Sequence, residues 1–155
     1  VEKLVPLTIT RAVSGKSLPV YGAGKAIRDW LFVDDHTAAL HLIMSTGQIG
    51  RSYNIGTNNE RTTLEMVTAI CTILDRISPR ADGKNYVEQI KYVTDRPGHD
   101  MRYAIDAQRI KDELGWEPAV GFDKGLEDTI AWYLANPSWL SKFMQDESAN
   151  DRRGI

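Results

Sequence analysis

The residues best suited to chemistry in this chain lie in one short segment, 95–100. At its centre, Pro97 and Gly98 predict a tight turn, which lets the backbone approach a ligand closely. Arg96 offers a planar fork of donors and His99 offers a ring, a combination suited to a phosphate or a base. Composition alone favours the plainer alternative, a surface turn with a charged rim.

A second candidate for anion binding is Arg28, which follows a glycine-containing loop and precedes an apolar run. Its guanidinium could face an anion, or it could pair with Asp29 or Asp34, and the residues alone leave both alternatives open. The formal net charge is −2, so anion binding must come from such local arginines. Neither nucleic acid nor an anionic membrane surface is an expected partner.

Two patterns look like the motifs of nucleotide enzymes but fail on their surroundings. The segment 22–24, Gly-Ala-Gly, lacks the third small residue of a dinucleotide fingerprint, because Ile27 stands at that position and a strand pattern follows. Tyr21 and Lys25 have the spacing of a dehydrogenase acid/base pair, but the two glycines between them disfavour the helix that such a pair needs. We predict a turn for this segment.

The other reactive side chains form no recognisable catalytic or metal-binding set. The histidines, His36, His41 and His99, lack metal-ligand spacing to one another or to the single cysteine, Cys71. No serine has the surroundings of a nucleophile elbow. Cys71 lies in an apolar helical pattern, which predicts a buried packing role. Because one cysteine cannot form a disulfide within the chain, we expect a reducing, cytoplasmic location.

Helices and short strands must position these residues, and the apolar pattern predicts where they lie. The predicted helices are 2–14, 36–45, 63–77, 107–114 and 122–136, and the predicted strands are 17–21, 29–33, 52–56, 90–94 and 102–105. Thr62 and Glu65 have the spacing of a capping box. Asp34 or Asp35 is the expected cap of the second helix. This alternation predicts an α/β fold, with few strands for a complete parallel sheet.

The length of 155 residues is that of one domain. We expect that domain to occupy 1–143 and a polar tail to occupy 144–155. The chain begins inside a helical pattern and without methionine, which suggests a part of a longer protein. No apolar run is long enough to predict a membrane span, and no secretion signal is recognisable.

Several runs occur in an order that resembles a known family. They are 2–7, 15–22, 27–36, 53–56, 59–61, 95–106, 113–116 and 132–136. Together they resemble the carboxyl-terminal half of dTDP-glucose 4,6-dehydratases, which belong to the extended short-chain dehydrogenase/reductases. The run 95–106 is particular to these dehydratases, whereas 27–36 and 53–56 recur in many extended short-chain enzymes. The fold implied is the end of a Rossmann-like sheet with a small α/β substrate-binding domain.

The resemblance also implies which residues contact a dTDP-sugar. Lys3 and Leu4 match residues that line the nucleotide-sugar site. Three consecutive residues match the strand that holds the thymine, namely Pro19, Val20 and Tyr21. Thr63 stands where the family often has a substrate-binding asparagine, and the tail after about residue 143 departs from the family pattern.

The diphosphate end of the substrate is expected at the turn. Arg28 and Arg96 match arginines that meet the diphosphate, and His99 matches a histidine of the same pocket. The remaining residues assigned to this pocket are Asp95, Pro97 and Gly98. We therefore expect a site for a nucleotide diphosphate rather than a plain surface turn.

For the intact enzyme, the resemblance implies NAD as cofactor, dTDP-glucose as substrate, dTDP-4-keto-6-deoxyglucose as product and a homodimer as assembly. The catalytic residues of the family lie in the half that this chain does not match, so we expect no catalytic residue here. We also expect that the chain alone neither binds NAD nor turns over. Two alternatives stay open: another extended short-chain enzyme, such as an epimerase or decarboxylase, and a non-catalytic nucleotide-sugar-binding module.

Overall fold

The computed structural model describes residues 3–95 and 97–139. The helices are α1 (Leu4–Val13), α2 (Val33–Thr46), α3 (Thr63–Ile77), α4 (Gln108–Leu114) and α5 (Phe122–Ala135). The strands are β1 (Leu18–Tyr21), β2 (Ile27–Asp29), β3 (Glu60–Thr62), β4 (Ile90–Val93) and β5 (Arg102–Tyr103), with a 3₁₀ turn at Tyr86–Gln89. This order confirms the predicted α/β class. The predicted tail, 144–155, and its boundary lie outside the described residues.

The strands form two small sheets. In one, β1 pairs with β4 in parallel, from Leu18 opposite Ile90 to Tyr21 opposite Val93. In the other, β2 lies between β3, to which it is antiparallel, and β5, to which it is parallel. Parallel strands point their carboxyl ends toward the same edge. The segment that leaves β4 therefore starts beside Tyr21 and leads into β5 of the other sheet.

The main core forms where α1, α3 and α5 pack together around β1. Along α3 the buried residues are Met66, Val67, Ile70, Cys71 and Leu74, a spacing that places them on one face of a helix. Burial of each large apolar side chain contributes about 1.5–3 kcal/mol relative to exposure. The predicted burial of Cys71 is confirmed, and that burial raises the pKa of its thiol to about 12.

A smaller cluster joins α2 to α4 around Ala39, Ile110 and Trp116. Asp35 in the first turn of α2 is only 6% exposed. Its two carboxylate oxygens accept hydrogen bonds of 3.0 Å from the backbone N–H groups of Ala119 and Val120. Asp35 therefore ties α2 to the segment that precedes α5. The prediction that Asp34 or Asp35 caps α2 is wrong, because both lie inside the helix and Phe32 is its N-cap.

The start of α2 differs from the sequence prediction in a second way. The strand expected at 29–33 ends at Asp29, and α2 begins at Val33 with Phe32 as its N-cap and no side-chain cap. The reason lies in the pairing: β3, the partner of β2, begins at Glu60, which lies opposite Asp29. Beyond that pair the two segments are joined by a long hydrogen bond from Trp30 N to Asn59 O, at 3.4 Å, and the regular ladder ends.

The strand expected at 52–56 is also absent from the described structure, because side chains hold this segment instead of a ladder. Tyr53 donates to the carboxylate of Glu113 at 3.0 Å, and the Asn54 amide donates to the carbonyl of Asp106 at 3.1 Å. The strand expected at 102–105 is shorter than predicted, since β5 has only two residues.

Helix termini follow the prediction where local chemistry determines them. The Thr62 hydroxyl accepts from Glu65 N at 3.2 Å, and the Glu65 carboxylate accepts from Thr62 N at 2.7 Å, which confirms the capping box at α3. Gly15 and Gly115 have φ of +68° and +70°, and they follow the ends of α1 and α4 as predicted stops. In the part of the chain that the structure describes, no helix is long and apolar enough to span a membrane.

Candidate anion-binding site at the ends of the strands

The site forms where the two sheets meet. The chain leaves β4 at Val93, makes the turn at Pro97 and Gly98, and enters β5 beside β2. Ile27 N donates to Met101 O at 2.7 Å, which fixes the entry into β5. The end of β1, the middle of β2 and the segment 97–100 are thereby brought to one place.

Arg28 is held at the centre of this place by several contacts. Its Nη2 donates to the carbonyl of Asp100 at 3.0 Å, and its Nη1 donates to the carbonyl of Ile27 at 2.6 Å. The guanidinium carbon lies 4.3 Å from the centroid of the Tyr103 ring. Its Nη2 is also 3.5 Å from Nε2 of His99. The half-buried arginine is thus fixed in one orientation.

The alternative ion pair of Arg28 is not formed. Within the described residues, Arg28 makes no salt bridge to Asp29 or Asp34. The Asp29 carboxylate instead accepts from Thr57 N at 2.7 Å, Thr57 Oγ1 at 2.5 Å and Asn59 N at 2.8 Å. Burial raises the pKa of Asp29, but these hydrogen bonds outweigh it and lower the pKa below its usual value. The carboxylate next to Arg28 in sequence is therefore engaged elsewhere.

His99 lies on the other side of the Arg28 guanidinium. Its Nδ1 is 2.7 Å from Oδ1 of Asp95, and its ring meets the Tyr21 ring edge-on at 6.5 Å between centroids. A carboxylate at Nδ1 favours the tautomer with the proton on that nitrogen, since a carboxylate only accepts. Nε2 is then the nitrogen that faces Arg28 and the space beside it. The His99 side chain is 13% exposed.

The turn itself has the predicted geometry. Pro97 and Gly98 are exposed, and Gly98 has φ of +70° with open space where a Cβ would stand. Gly22 lies against the turn, because a Cβ there would be 3.0 Å from Oδ2 of Asp95. The predicted tight turn between β4 and β5 is therefore confirmed. Arg96, the second predicted arginine, lies outside the described residues.

The three predicted residues of β1 differ in what they can offer. Val20 is fully buried in the main core, so only its main chain can face a ligand. Pro19 and Tyr21 are half-buried on the opposite side of the strand. Among the described strands, β1 pairs with β4 alone.

The remaining predicted residues lie apart from this cluster. Lys3 is the exposed N-cap of α1, and Leu4 packs against the main core. Thr63 at the start of α3 donates from both N and Oγ1 to the carbonyl of Ala26, at 2.8 and 3.2 Å. Among the described residues, no hydrogen bond or ion pair joins Lys3, Leu4 or Thr63 to Arg28 or His99.

Two residues of the cluster were not anticipated as site residues. Tyr103 stacks on Arg28, and its hydroxyl donates to the carboxylate of Asp100. Both lie in the run 95–106, but their proximity to Arg28 depends on the pairing of β2 with β5. A single sequence contains no signal for that register. The one available signal was an aromatic residue, Tyr103, a few positions after the turn, since aromatic rings often stack on arginine.

A separate cavity lies elsewhere, as an open groove of about 790 Å³ between α1, α5 and the segment before α2. Its lining is mostly apolar and includes Val5, Trp30, Phe32, Phe122 and Trp132. Trp30 Nε1 is buried there without a described hydrogen-bond partner. An apolar groove has few donors for a charged group, in contrast to the Arg28 cluster, which comprises Arg28, His99, Tyr103 and the segment 97–100.

The described residues do not fit a dinucleotide cofactor. The segment 22–24 is a turn between β1 and β2, as predicted, and no helix opens there. A Cβ at Gly24 would lie 2.8 Å from Val20 and 2.9 Å from Leu64. This glycine therefore allows close packing of the turn against those two side chains. In residues 3–95 and 97–139, no group of acidic, histidine or cysteine side chains is arranged to hold a metal ion.

Comparison with known proteins identifies the family of this α/β chain. Residues 1–129 match the profile of the GDP-mannose 4,6 dehydratase family, and the chain belongs to that family. A curated dTDP-glucose 4,6-dehydratase from Xanthomonas campestris pv. campestris is 52% identical over 99% of this chain. The chain covers 44% of that relative, so it spans less than half of the relative's length.

Solved structures agree with the sequence match. The crystal structure of dTDP-glucose 4,6-dehydratase from Bacillus anthracis in complex with NAD is 46% identical, with a TM-score of 0.77. DesIV, the dTDP-glucose 4,6-dehydratase from Streptomyces venezuelae with NAD and TYD bound, is 37% identical with the same TM-score. These matches cover 89% of this chain, and 41% and 40% of the respective solved chains. The resemblance to dTDP-glucose 4,6-dehydratases is therefore confirmed.

Proposed function

We propose that this chain binds the dTDP end of a nucleotide sugar as part of a dTDP-glucose 4,6-dehydratase. Such an enzyme converts dTDP-glucose to dTDP-4-keto-6-deoxyglucose. The observation that supports this most strongly is the fixed guanidinium of Arg28 beside His99 and the exposed turn at Gly98. His99 and Gly98 lie in the run 95–106, which is particular to these dehydratases, whereas Arg28 lies in a run shared by many extended short-chain enzymes. The relatives named above support the same substrate.

The chemistry of the cluster suits a diphosphate. The described contacts of Arg28 use both N–H groups of Nη2 and one of Nη1, so the second Nη1 N–H and the Nε–H of the guanidinium can donate to phosphate oxygens. Arginine bonds to phosphate are often bidentate and are about twice as strong as neutral hydrogen bonds. The exposed Pro97–Gly98 turn lets a phosphate approach its backbone. Arg96 would add a second positive charge, and His99 would hold the Arg28 guanidinium beside the phosphate.

We assign the thymine end to β1, on the family resemblance. The main chain at Pro19, Val20 and Tyr21 is extended there. An extended strand offers alternating donors and acceptors to the edge of a pyrimidine. We assign Lys3, Leu4 and Thr63 to the sugar-nucleotide site on the family resemblance alone.

The chemical steps belong to residues that this chain does not contain. The described residues offer neither a dinucleotide cradle nor an acid/base pair, so NAD and the catalytic groups would be held by other parts of the intact enzyme. For that enzyme we propose a homodimer. A cytoplasmic location is proposed on the basis of the single buried cysteine.

The experiment is a calorimetric titration of dTDP into the 155-residue chain. Arg28→Ala is expected to weaken binding tenfold or more, because a hydrogen bond to a charged group contributes about 1.5–3 kcal/mol. The control is Arg76→Ala, since Arg76 is an exposed arginine paired with Glu127 on another face. Equal affinity of the wild type and Arg28→Ala for dTDP would contradict the proposal.

A second titration, with UDP in place of dTDP, distinguishes the proposed dehydratase from the main alternative. If the chain is part of a UDP-sugar epimerase or decarboxylase, UDP binds more tightly than dTDP. A dTDP-glucose dehydratase is expected to show the reverse order. The run 95–106 and the names of the relatives favour the dehydratase.

A further inference from the structure

Tyr103 has an unusual set of contacts for an exposed aromatic residue. It is 54% exposed, yet its ring supports the Arg28 guanidinium at 4.3 Å and its hydroxyl donates to Asp100. That hydrogen bond, with the negative charge of Asp100, raises the pKa of the Tyr103 hydroxyl. Asp100 contacts Arg28 as well, through its carbonyl oxygen at 3.0 Å. Tyr103 and Asp100 thus contact the guanidinium from two directions.

Strand register explains why these groups meet. Arg28 lies opposite Tyr103 in the parallel pair of β2 and β5, and residues opposite each other on neighbouring strands project from the same face of a sheet. Arg102, one position earlier, projects from the other face. There it forms a two-bond pair with the carboxylate of Glu60 on β3, at 2.6 and 2.7 Å.

The Glu60–Arg102 pair stabilises the short strand β5. A strand of two residues forms few ladder hydrogen bonds, so the register of β5 against β2 depends on additional contacts. The pair spans β2 and links β5 to β3 from the face opposite Tyr103. Arg102 therefore helps to hold Tyr103 under Arg28, although it is not part of the anion site.

An arginine that binds an anion gains from being fixed beforehand. A free arginine side chain loses about 2 kcal/mol of rotamer entropy when it is immobilised. Here the Tyr103 ring, the Asp100 carbonyl and His99 already limit the guanidinium to one orientation. Fixing a binding group in advance improves affinity mainly by reducing this entropic cost.

We propose that Tyr103 and Asp100 are positioning residues, which hold the Arg28 guanidinium in the orientation that receives the diphosphate. The proposal rests on the function proposed above. Tyr103 supplies the supporting ring, and Asp100 fixes that ring through its carboxylate and the arginine through its carbonyl. Neither residue needs to touch the nucleotide.

The first test measures the motion of Arg28 without any ligand. The NMR order parameter of the Arg28 Nε–H bond is expected to fall in Tyr103→Leu, which lacks the ring. Tyr103→Phe keeps the ring and is expected to retain most of the wild-type value. The matched control is Tyr53→Phe, which also removes a tyrosine–carboxylate bond, to Glu113, in the other cluster. An unchanged order parameter in Tyr103→Leu overturns the proposal, whether or not the chain binds dTDP.

The second test separates positioning from general destabilisation. Tyr103→Leu is expected to weaken dTDP binding about fivefold, within the range of a cation–π contact, and to leave thymidine binding unchanged. Tyr103→Phe should restore most of the loss. In an Arg28→Ala background, Tyr103→Leu should cause no further loss. Equal weakening of thymidine and dTDP, or an equal loss in that background, overturns the proposal. The proposed function fails separately, if Arg28→Ala binds dTDP as the wild type does.

Discussion

Asp29, the residue after Arg28, fixes the conformation of the loop that precedes β3. Three hydrogen bonds of 2.5–2.8 Å converge on its carboxylate from Thr57 and Asn59. A Cβ at Gly56 would come within 2.7 Å of the same carboxylate, so the loop packs closely on it. Asp29 therefore anchors this loop and does not pair with Arg28 in the described structure.

We predict that Asp29→Ala lowers the free energy of unfolding by about 2 kcal/mol, because it leaves several half-buried donors without an acceptor. Urea denaturation monitored by circular dichroism measures this. The control is Asp34→Ala, an exposed aspartate in the first turn of α2. An effect no larger than that of the control would show that the loop does not depend on Asp29.

The same carboxylate predicts a dependence on pH. The pKa of Asp29 in the folded chain lies below that in the unfolded chain, so its stabilisation is complete above the unfolded pKa of about 4. It is lost as the pH falls through the lower, folded pKa. The stability difference between the wild type and Asp29→Asn should therefore shrink between about pH 5 and pH 3. A constant difference over this range would contradict the assignment.

At the scale of elements, helix α3 shows how far local chemistry defines a structure. Its apolar spacing, the capping box of Thr62 and Glu65, and the end at Ile77 could all be predicted from the sequence. These features depend on residues at most one helical turn apart. Helices α1 and α5 were predictable for the same reason, and Gly115 marked the end of α4.

Strands were harder to predict because their partners are distant in sequence. The expected strand at 52–56 has suitable residues but no partner in the described structure. β2 ends at Asp29 although apolar residues continue, since its ladder with β3 ends at Glu60. In the candidate site, the turn and Arg28 could be predicted from local sequence. The stacking of Tyr103 on Arg28 could not, because it depends on the pairing of β2 with β5. The burial of Val20 likewise follows from packing that a single sequence does not contain.

The capping box gives a prediction at this scale. Thr62→Ala removes the hydroxyl that accepts from Glu65 N and should cost about 1 kcal/mol of unfolding free energy. Thr72→Ala is the matched control, because Thr72 lies exposed on the same helix and bonds only to the carbonyl of Thr68 in the described contacts. Thermal or urea unfolding distinguishes them. Equal effects of the two variants would show that the cap contributes nothing particular.

At the scale of the whole molecule, the chain combines a polar cluster at the strand ends with a separate apolar groove. It covers 44% of the Xanthomonas relative and about 40% of the solved dehydratases. The relatives therefore contain a large part that this chain does not match. Their complexes with NAD belong to those longer chains.

We predict that the 155-residue chain, mixed with NAD and dTDP-glucose, produces no 4-keto sugar. The reason is that the described residues include neither a dinucleotide fold nor a tyrosine–lysine pair on one helix. The absorbance of the keto sugar in alkali measures product. The Bacillus anthracis dehydratase, which is solved with NAD, is the positive control. Product formed by this chain above background would refute the prediction.

The most direct test of dTDP binding at the Arg28 cluster is an NMR titration of the ¹⁵N-labelled chain with dTDP. The backbone signals of Tyr21, Gly98 and His99 and the side-chain signal of Arg28 are expected to shift together and to saturate. The indole N–H signals of Trp30 and Trp132 in the apolar groove should stay in place. Shifts confined to those indoles, with the signals of Arg28 and Gly98 unchanged, would contradict binding of dTDP at Arg28 and the turn.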